Sequence, residues 1–144
     1  MGWLINARLI LESETMTIRD TLRGMRARRS QKTASFVLRY DPPPEQPTIV
    51  GHLQFDGSTW TFFYDDQYKR RLDLRPIEGF DDIEKVYQSS VLFPFFAVRI
   101  PDTDRDDVKR KIEESRLRDP ELADLLRLFG RRAVSSPAFE LLPA

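Results

Sequence analysis

Residues 49–64 read IVGHLQFDGSTWTFFY, and few segments leave a folding chain less choice. Leu53 and Phe55 alternate with His52 and Gln54, the period of two that sends successive strand side chains to opposite faces. Asp56-Gly57 follows, a dipeptide that tight hairpins favour because glycine reaches positive φ without a steric penalty. The return run, 59–64, then sets Trp60, Phe62 and Tyr64 on one face and Thr59, Thr61 and Phe63 on the other. One face belongs to a core. Phe63 is therefore the aromatic turned outward, and an outward aromatic calls for an explanation when it is part of a cluster.

Other stretches supply neighbours for this hairpin. Residues 36–40 (FVLRY) are rich in strand formers, and Asp41 with Pro42, Pro43, Pro44 and Pro47 breaks them into a loop. The polar, basic run 65–75 reads as a turn with a short irregular piece. Asp81 and Asp82 suit the start of a helix carrying Ile83, Val86 and Tyr87. In residues 89–105, SSVLFPFFAVRIPDTDR, the apolar run falls short of the ~20 residues that a bilayer span requires. Pro94 fits the first turn of a short helix over 95–100, with Phe95, Phe96 and Ile100 expected mostly in the core. Thr103 with Asp106 resembles a capping box ahead of Val108 and Ile112. Asp119-Pro120 reads as cap and first helical position, with Leu122, Leu125, Leu126 and Phe129 as the apolar stripe. Gly130 is expected to close that helix in the left-handed conformation. Residues 133–142 read as a final strand. Strands, then helices, then a strand make an α+β fold: a small, mostly antiparallel sheet with a hairpin, packed against three or four short helices.

The first residues are different in kind. Thr17 and Asp20 form a capping-box pattern, and Ile18, Leu22 and Met25 recur at helical spacing. Around that stripe lie Arg19, Arg23, Arg26, Arg28, Arg29 and Lys32, opposed only by Asp20. Residues 1–34 thus read as a basic N-terminal extension, expected to be partly helical or mobile, ahead of an α+β domain over 35–144. Such an arm suits nucleic acid or an acidic partner, although a solvated arm is the commoner outcome. Met16 offers an alternative start of translation. Arg28-Arg29-Ser30 matches a basophilic phosphorylation signal, a pattern too short to carry weight.

Composition narrows the chemistry. Lysine plus arginine equals aspartate plus glutamate at 23 each, which argues against a general nucleic-acid binder. The absence of cysteine excludes a disulfide framework, a thiolate nucleophile and zinc–thiolate sites, and a cytoplasmic setting is the natural expectation. The opening residues have neither a basic leader nor a small-residue cleavage site, so no signal peptide is read. Ten phenylalanines and two tryptophans suit a compact β-containing core or an interaction face. His52 is the one histidine, and a lone strand histidine is far more often structural than a general base. The acidic pairs Asp65-Asp66, Asp81-Asp82 and Asp106-Asp107 diverge on a strand and sit ~100° apart on a helix, so capping explains them best. Alternating oxygens over 102–106 make calcium formally conceivable, but the loop lacks the glycine and distal glutamate of an EF-hand. No phosphate-binding loop, dinucleotide fingerprint, kinase catalytic loop or HExxH is present. The expectation is a protein that is not an enzyme and needs no cofactor or metal.

The order of several motifs is nevertheless specific. Ile49-Val50-Gly51-His52-Leu53, the Phe55-Asp56-Gly57 turn, and Phe62-x-Tyr64 followed by Tyr68 resemble the N-terminal subdomain of HipA-type serine/threonine kinase toxins. So do Phe95-Phe96 followed by Arg99-Ile100-Pro101-Asp102 and Arg105. Asp124-Leu125-Leu126 with Phe129-Gly130-Arg131, then Ala133-Val134 and the strand over 138–142, resemble that family's closing segment. The resemblance runs from residue 35 to 143. It departs at Leu74-Arg75-Pro76-Ile77, where the family shows Pro-Leu-Ser, and at Ser135-Ser136-Pro137, where it shows Gly-Ala-Val. The basic arm and the proline loop at 42–47 have no counterpart.

Residues 1–144 hold none of the ATP-binding, catalytic or magnesium-binding parts of the kinase core. The resemblance therefore points to split three-component systems, in which a small HipS-like protein accompanies a shortened HipT-like kinase and a HipB-like DNA-binding protein. It implies a bacterial toxin–antitoxin subunit that binds and restrains a HipT- or HipA-like kinase by protein–protein contact, as an antitoxin and kinase inhibitor, with no membrane association. Trp60 and Phe63 on the hairpin are the first interface candidates, although Trp60 shares its face with Phe62 and Tyr64 and suits a core equally well. Phe93, Arg99 and Arg105 are the second set. The alternatives are a DNA-associated accessory subunit that uses the arm at 19–32, and a truncated fragment of a HipA-type toxin.

Overall fold

Five strands and four short helices make up residues 33–144, the part of the chain that this computed structural model describes. Strands β1 (Ala34–Tyr40), β2 (Thr48–Phe55), β3 (Trp60–Tyr64), β4 (Tyr87–Ser89) and β5 (Phe139–Pro143) form one antiparallel sheet in the order β4-β3-β2-β1-β5. The helices are α1 (Asp66–Lys69), α2 (Pro94–Ala97), α3 (Asp106–Ser115) and α4 (Leu122–Phe129). The fold is α+β, and the sheet is a meander closed by a strand from far along the chain.

The β2–β3 hairpin pairs Gly51 with Tyr64 through Phe55 with Trp60. Its turn closes when Asp56 N donates to Thr59 O at 3.2 Å, with Gly57 at φ 105°. The Asp56 carboxylate accepts from Ser58 N and Thr59 N at 2.8 and 2.7 Å, the Asx device that ties a turn to its own backbone. Between β1 and β2 the register slips at Leu38/Arg39. One extra β2 residue lies between Ile49 and Gly51, and this bulge lets Val50 and Leu53 both face inward although three positions separate them.

Alternation then gathers the core on one face. Phe36 and Leu38 of β1, Val50 and Leu53 of β2, Trp60, Phe62 and Tyr64 of β3, and Leu141 of β5 are each 2 % exposed or less. Phe80, Phe96 and Leu126 cover them from the connecting segments and helices. The Phe62 ring lies 4.5 Å from Phe80, 5.3 Å from Tyr64 and 5.6 Å from Phe96, centroid to centroid. Burying each such side chain is worth about 1.5–3 kcal/mol. The Tyr64 hydroxyl donates to Phe80 O at 2.6 Å and accepts from Ile77 N at 2.9 Å, so one side chain pins the 77–80 loop over the sheet. Burial pushes that phenol up to about 12, which keeps it a donor at any ordinary pH.

Several local expectations give way, most of them to specific hydrogen bonds. Residues 81–87 do not form a helix. Asp82 instead accepts Glu84 N on its side chain at 2.9 Å and Lys85 N on its carbonyl at 3.2 Å. The Tyr87 hydroxyl accepts Asp82 N at 2.8 Å, and Tyr87 joins the sheet opposite Phe62. Helix α3 begins at Asp106 with no side-chain cap, because Asp102 rather than Thr103 organises the preceding turn by accepting Asp104 N at 2.8 Å. Helix α4 is capped by Glu121 in a reciprocal box with Asp124, and Asp119 sits two residues upstream at φ 49°. Leu122 of the expected stripe is 48 % exposed, while Leu125 and Leu126 are buried. Gly130 ends α4 at φ −86°, outside the left-handed region. Its requirement is proximity: a Cβ there would lie 2.4 Å from Leu126 O. The last strand is shorter than the 133–142 expectation, since Ser136 N→Ala133 O and Phe139 N→Ser136 O bonds hold the preceding residues in turns.

Candidate functional site

Tyr68 of α1, Phe96 of α2 and Leu126 of α4 join the core on one face of the sheet, and the opposite face carries the other half of the alternation. Cross-strand pairing sets Phe63, His52, Val37 and Leu142 in one row across β3, β2, β1 and β5, each half-buried. The Phe63 and His52 rings stack at 5.1 Å. His52 Nε2 lies 2.8 Å from Asp65 Oδ1, while Asp65 Oδ2 accepts Gln67 N at 2.9 Å as the cap of α1. Burial would raise the Asp65 carboxyl, but the bonds from His52 and Gln67 outweigh it and hold the group below its ordinary value. The histidine thus fastens β2 to the start of α1.

Two of the interface candidates turn out to be interior. Trp60 is 2 % exposed and stacks on Phe55 at 4.4 Å, so its indole belongs to the core, as the face it shares with Phe62 and Tyr64 requires. Arg99 is 4 % exposed, and the α2 turn that follows Pro94 carries its guanidinium inward over Phe95 rather than out to solvent. Arg105 is at the surface but engaged, with its guanidinium 2.7 Å from the carboxylate of Asp107, two residues on. Arg19, Arg23, Arg26, Arg28, Arg29 and Lys32 lie outside the described residues.

Phe93 borders a mostly apolar concavity. Phe80, Phe93, Pro94, Phe95 and Val98 line an open groove of about 530 Å³, with Glu78, Ser135 and Ser136 at its polar rim. Proline at the first helical position makes the groove: α2 starts abruptly, Phe96 drops into the core, and Phe93, Phe95 and Val98 are left along the outside. Val98 is 63 % exposed, and nearby Val91 is 69 % exposed. A small, mostly apolar concavity with a few polar groups is the usual form of a binding site. On its other side Phe95 also borders a smaller groove of about 300 Å³ that includes Tyr40, Tyr68, Glu78 and Phe139.

The sequence reading missed one cluster altogether. Glu140 is fully buried, bonded to Arg39 and Arg131, with Arg132 at 3.3 Å. Burial would raise this carboxyl, yet the Arg39 and Arg131 hydrogen bonds prevail and hold it below its ordinary value. Nothing local marks Glu140. The signal is the pairing of β1 with β5, which sets it opposite Arg39.

Among the described residues, no group of three or more histidine, cysteine, aspartate or glutamate side chains is placed to hold a metal ion. No helix among them is long and apolar enough to cross a membrane. Comparison of the chain with protein-family models, curated proteins and solved structures returns no match.

Proposed function

We propose that this chain is a non-catalytic binding module that docks on a HipT- or HipA-like serine/threonine kinase in the cytoplasm and restrains it as the antitoxin of a toxin–antitoxin system. The order of motifs over residues 35–143 suggests the partner. The observation that carries the reading is the open apolar groove formed by Phe93, Phe95 and Val98. Interfaces concentrate their energy in aromatic anchors that exclude water, and apolar side chains around a concavity provide such a centre. Restraint of this kind is steric or conformational and asks no chemistry of the module itself.

Co-expression with a HipT-like kinase encoded beside the gene, followed by calorimetry, tests it. The expected result is a complex with submicromolar affinity that Phe93→Asp weakens about 100-fold, the scale of losing a hot-spot side chain and burying a charge in its place. A folded protein with no binding to that kinase at micromolar concentration would overturn the reading. The DNA-associated alternative draws on the basic residues of the arm. It predicts DNA binding that falls steeply with salt and disappears when residues 1–33 are removed.

A further inference from the structure

Arg99 lacks what other internal charges of this domain have. Its side chain is 4 % exposed, and two of its nitrogens, Nε and Nη1, are buried without a hydrogen-bond partner. Nη2 makes one long bond, to Phe139 O at 3.3 Å. Its Cζ lies 5.0 Å from the Phe95 ring centroid and 6.0 Å from that of Phe96, so aromatic faces are its main compensation. By contrast, the charges on Asp124 and Glu140 are met by Arg127 and by Arg39 and Arg131. Burial pushes Arg99 down to about 10, which leaves it cationic at neutral pH. A methionine or leucine could occupy the same apolar space without losing hydration. An unpaired internal guanidinium weakens the free protein, so its natural complement is an anion supplied from outside.

Phe95 is the ring that touches both the guanidinium and the grooves. It is half-buried, stacks over the guanidinium, and forms a wall of both the Phe93 groove and the smaller groove beside Phe139. We propose that Arg99 is the anchor for an acidic side chain of the docked protein. An aspartate or glutamate flanked by apolar residues enters the Phe93 groove, moves the Phe95 ring aside and pairs with the waiting guanidinium. The flanking apolar residues match the lining, and the carboxylate matches the charge. This inference rests on the docking reading and adds the chemistry of the occupant.

The test uses the full chain, 15N-labelled, and two blocked tripeptides as probes, Leu-Glu-Leu and Leu-Gln-Leu. Titration with the glutamate peptide should move the Arg99 Nε–H resonance and the Phe95 ring signals progressively, with at least a 10-fold preference over the glutamine peptide. Arg99→Met should abolish that preference while raising the melting temperature of the free protein by about 2–8 °C, because an uncompensated charge is removed. Equal responses to the two peptides would overturn the proposal. So would a fall in melting temperature for Arg99→Met, since the side chain would then be structural. The chain's own Glu78 lines both grooves; if Glu78→Gln alone shifts the Arg99 resonance, the counter-charge is internal and the proposal also fails. Kinase binding by the wild-type chain is measured separately, so a failure of the docking reading is told apart from a failure of this one.

Discussion

A carboxylate with no exposed surface persists on β5 because guanidiniums surround it. Glu140 holds Arg39, Arg131 and Arg132, and its native carboxyl titrates below the ordinary value of 4.5. A depressed native value means that this stabilisation is complete above the unfolded value and is lost as pH falls through the native one. Glu140→Gln should therefore flatten the acid limb of stability below about pH 4.5 and cost about 2 kcal/mol at pH 7, the scale of hydrogen bonds to a charged group. Urea titrations of both proteins across pH 2–7 would show it, and parallel acid limbs would refute it. Gly130 makes a different demand. A Cβ there meets the Leu126 carbonyl at 2.4 Å and Leu126 Cδ1 at 2.7 Å, so Gly130→Ala must shift backbone at the end of α4. We expect a loss of about 1–3 kcal/mol in chemical denaturation, as for other overpacked sites, despite alanine's better helix propensity.

The elements divide by how local their causes are. The hairpin was readable because Asp56-Gly57 and the flanking alternation lie within sixteen residues, and α2 because Pro94 marks its own first turn. Phe63 was likewise readable as outward-facing from its phase alone. Arg99 was not, because a charged side chain is ordinarily placed at the surface, and only the packing of α2 against β5 turns this one inward. Strand β4 was misread as helix because its decisive bond, Tyr87 hydroxyl to Asp82, belongs to side-chain geometry. Glu140 and its partner Arg39 lie 101 residues apart in sequence, beyond any local period. At the start of α1, Asp65 serves both as cap and as the His52 acceptor. Asp65→Ala should cost about 1–2 kcal/mol, the upper range for a lost N-cap, whereas Asp65→Asn, which keeps the cap, should recover most of it. Thermal melts of the two variants measure the difference.

At the scale of the whole molecule, β5 decides whether there is a domain. It supplies Leu141 to the core, Glu140 to the arginine cluster and the second partner for β1. Deleting residues 139–144 should thus abolish cooperative unfolding rather than lower its midpoint. Circular dichroism and one-dimensional NMR of the truncated chain would decide, and a sharp two-state melt would contradict the expectation. The strand order β4-β3-β2-β1-β5 also has a consequence in time. While a ribosome makes this chain, β1 and β2 can pair within seconds, but β5 is about 100 residues behind β1 and is translated some 5–20 s later. Through that interval the far edge of β1 is open to any passing strand. The nascent chain is thus most vulnerable to mispairing after its hairpin has formed and before its last strand arrives, a window that slower translation would lengthen.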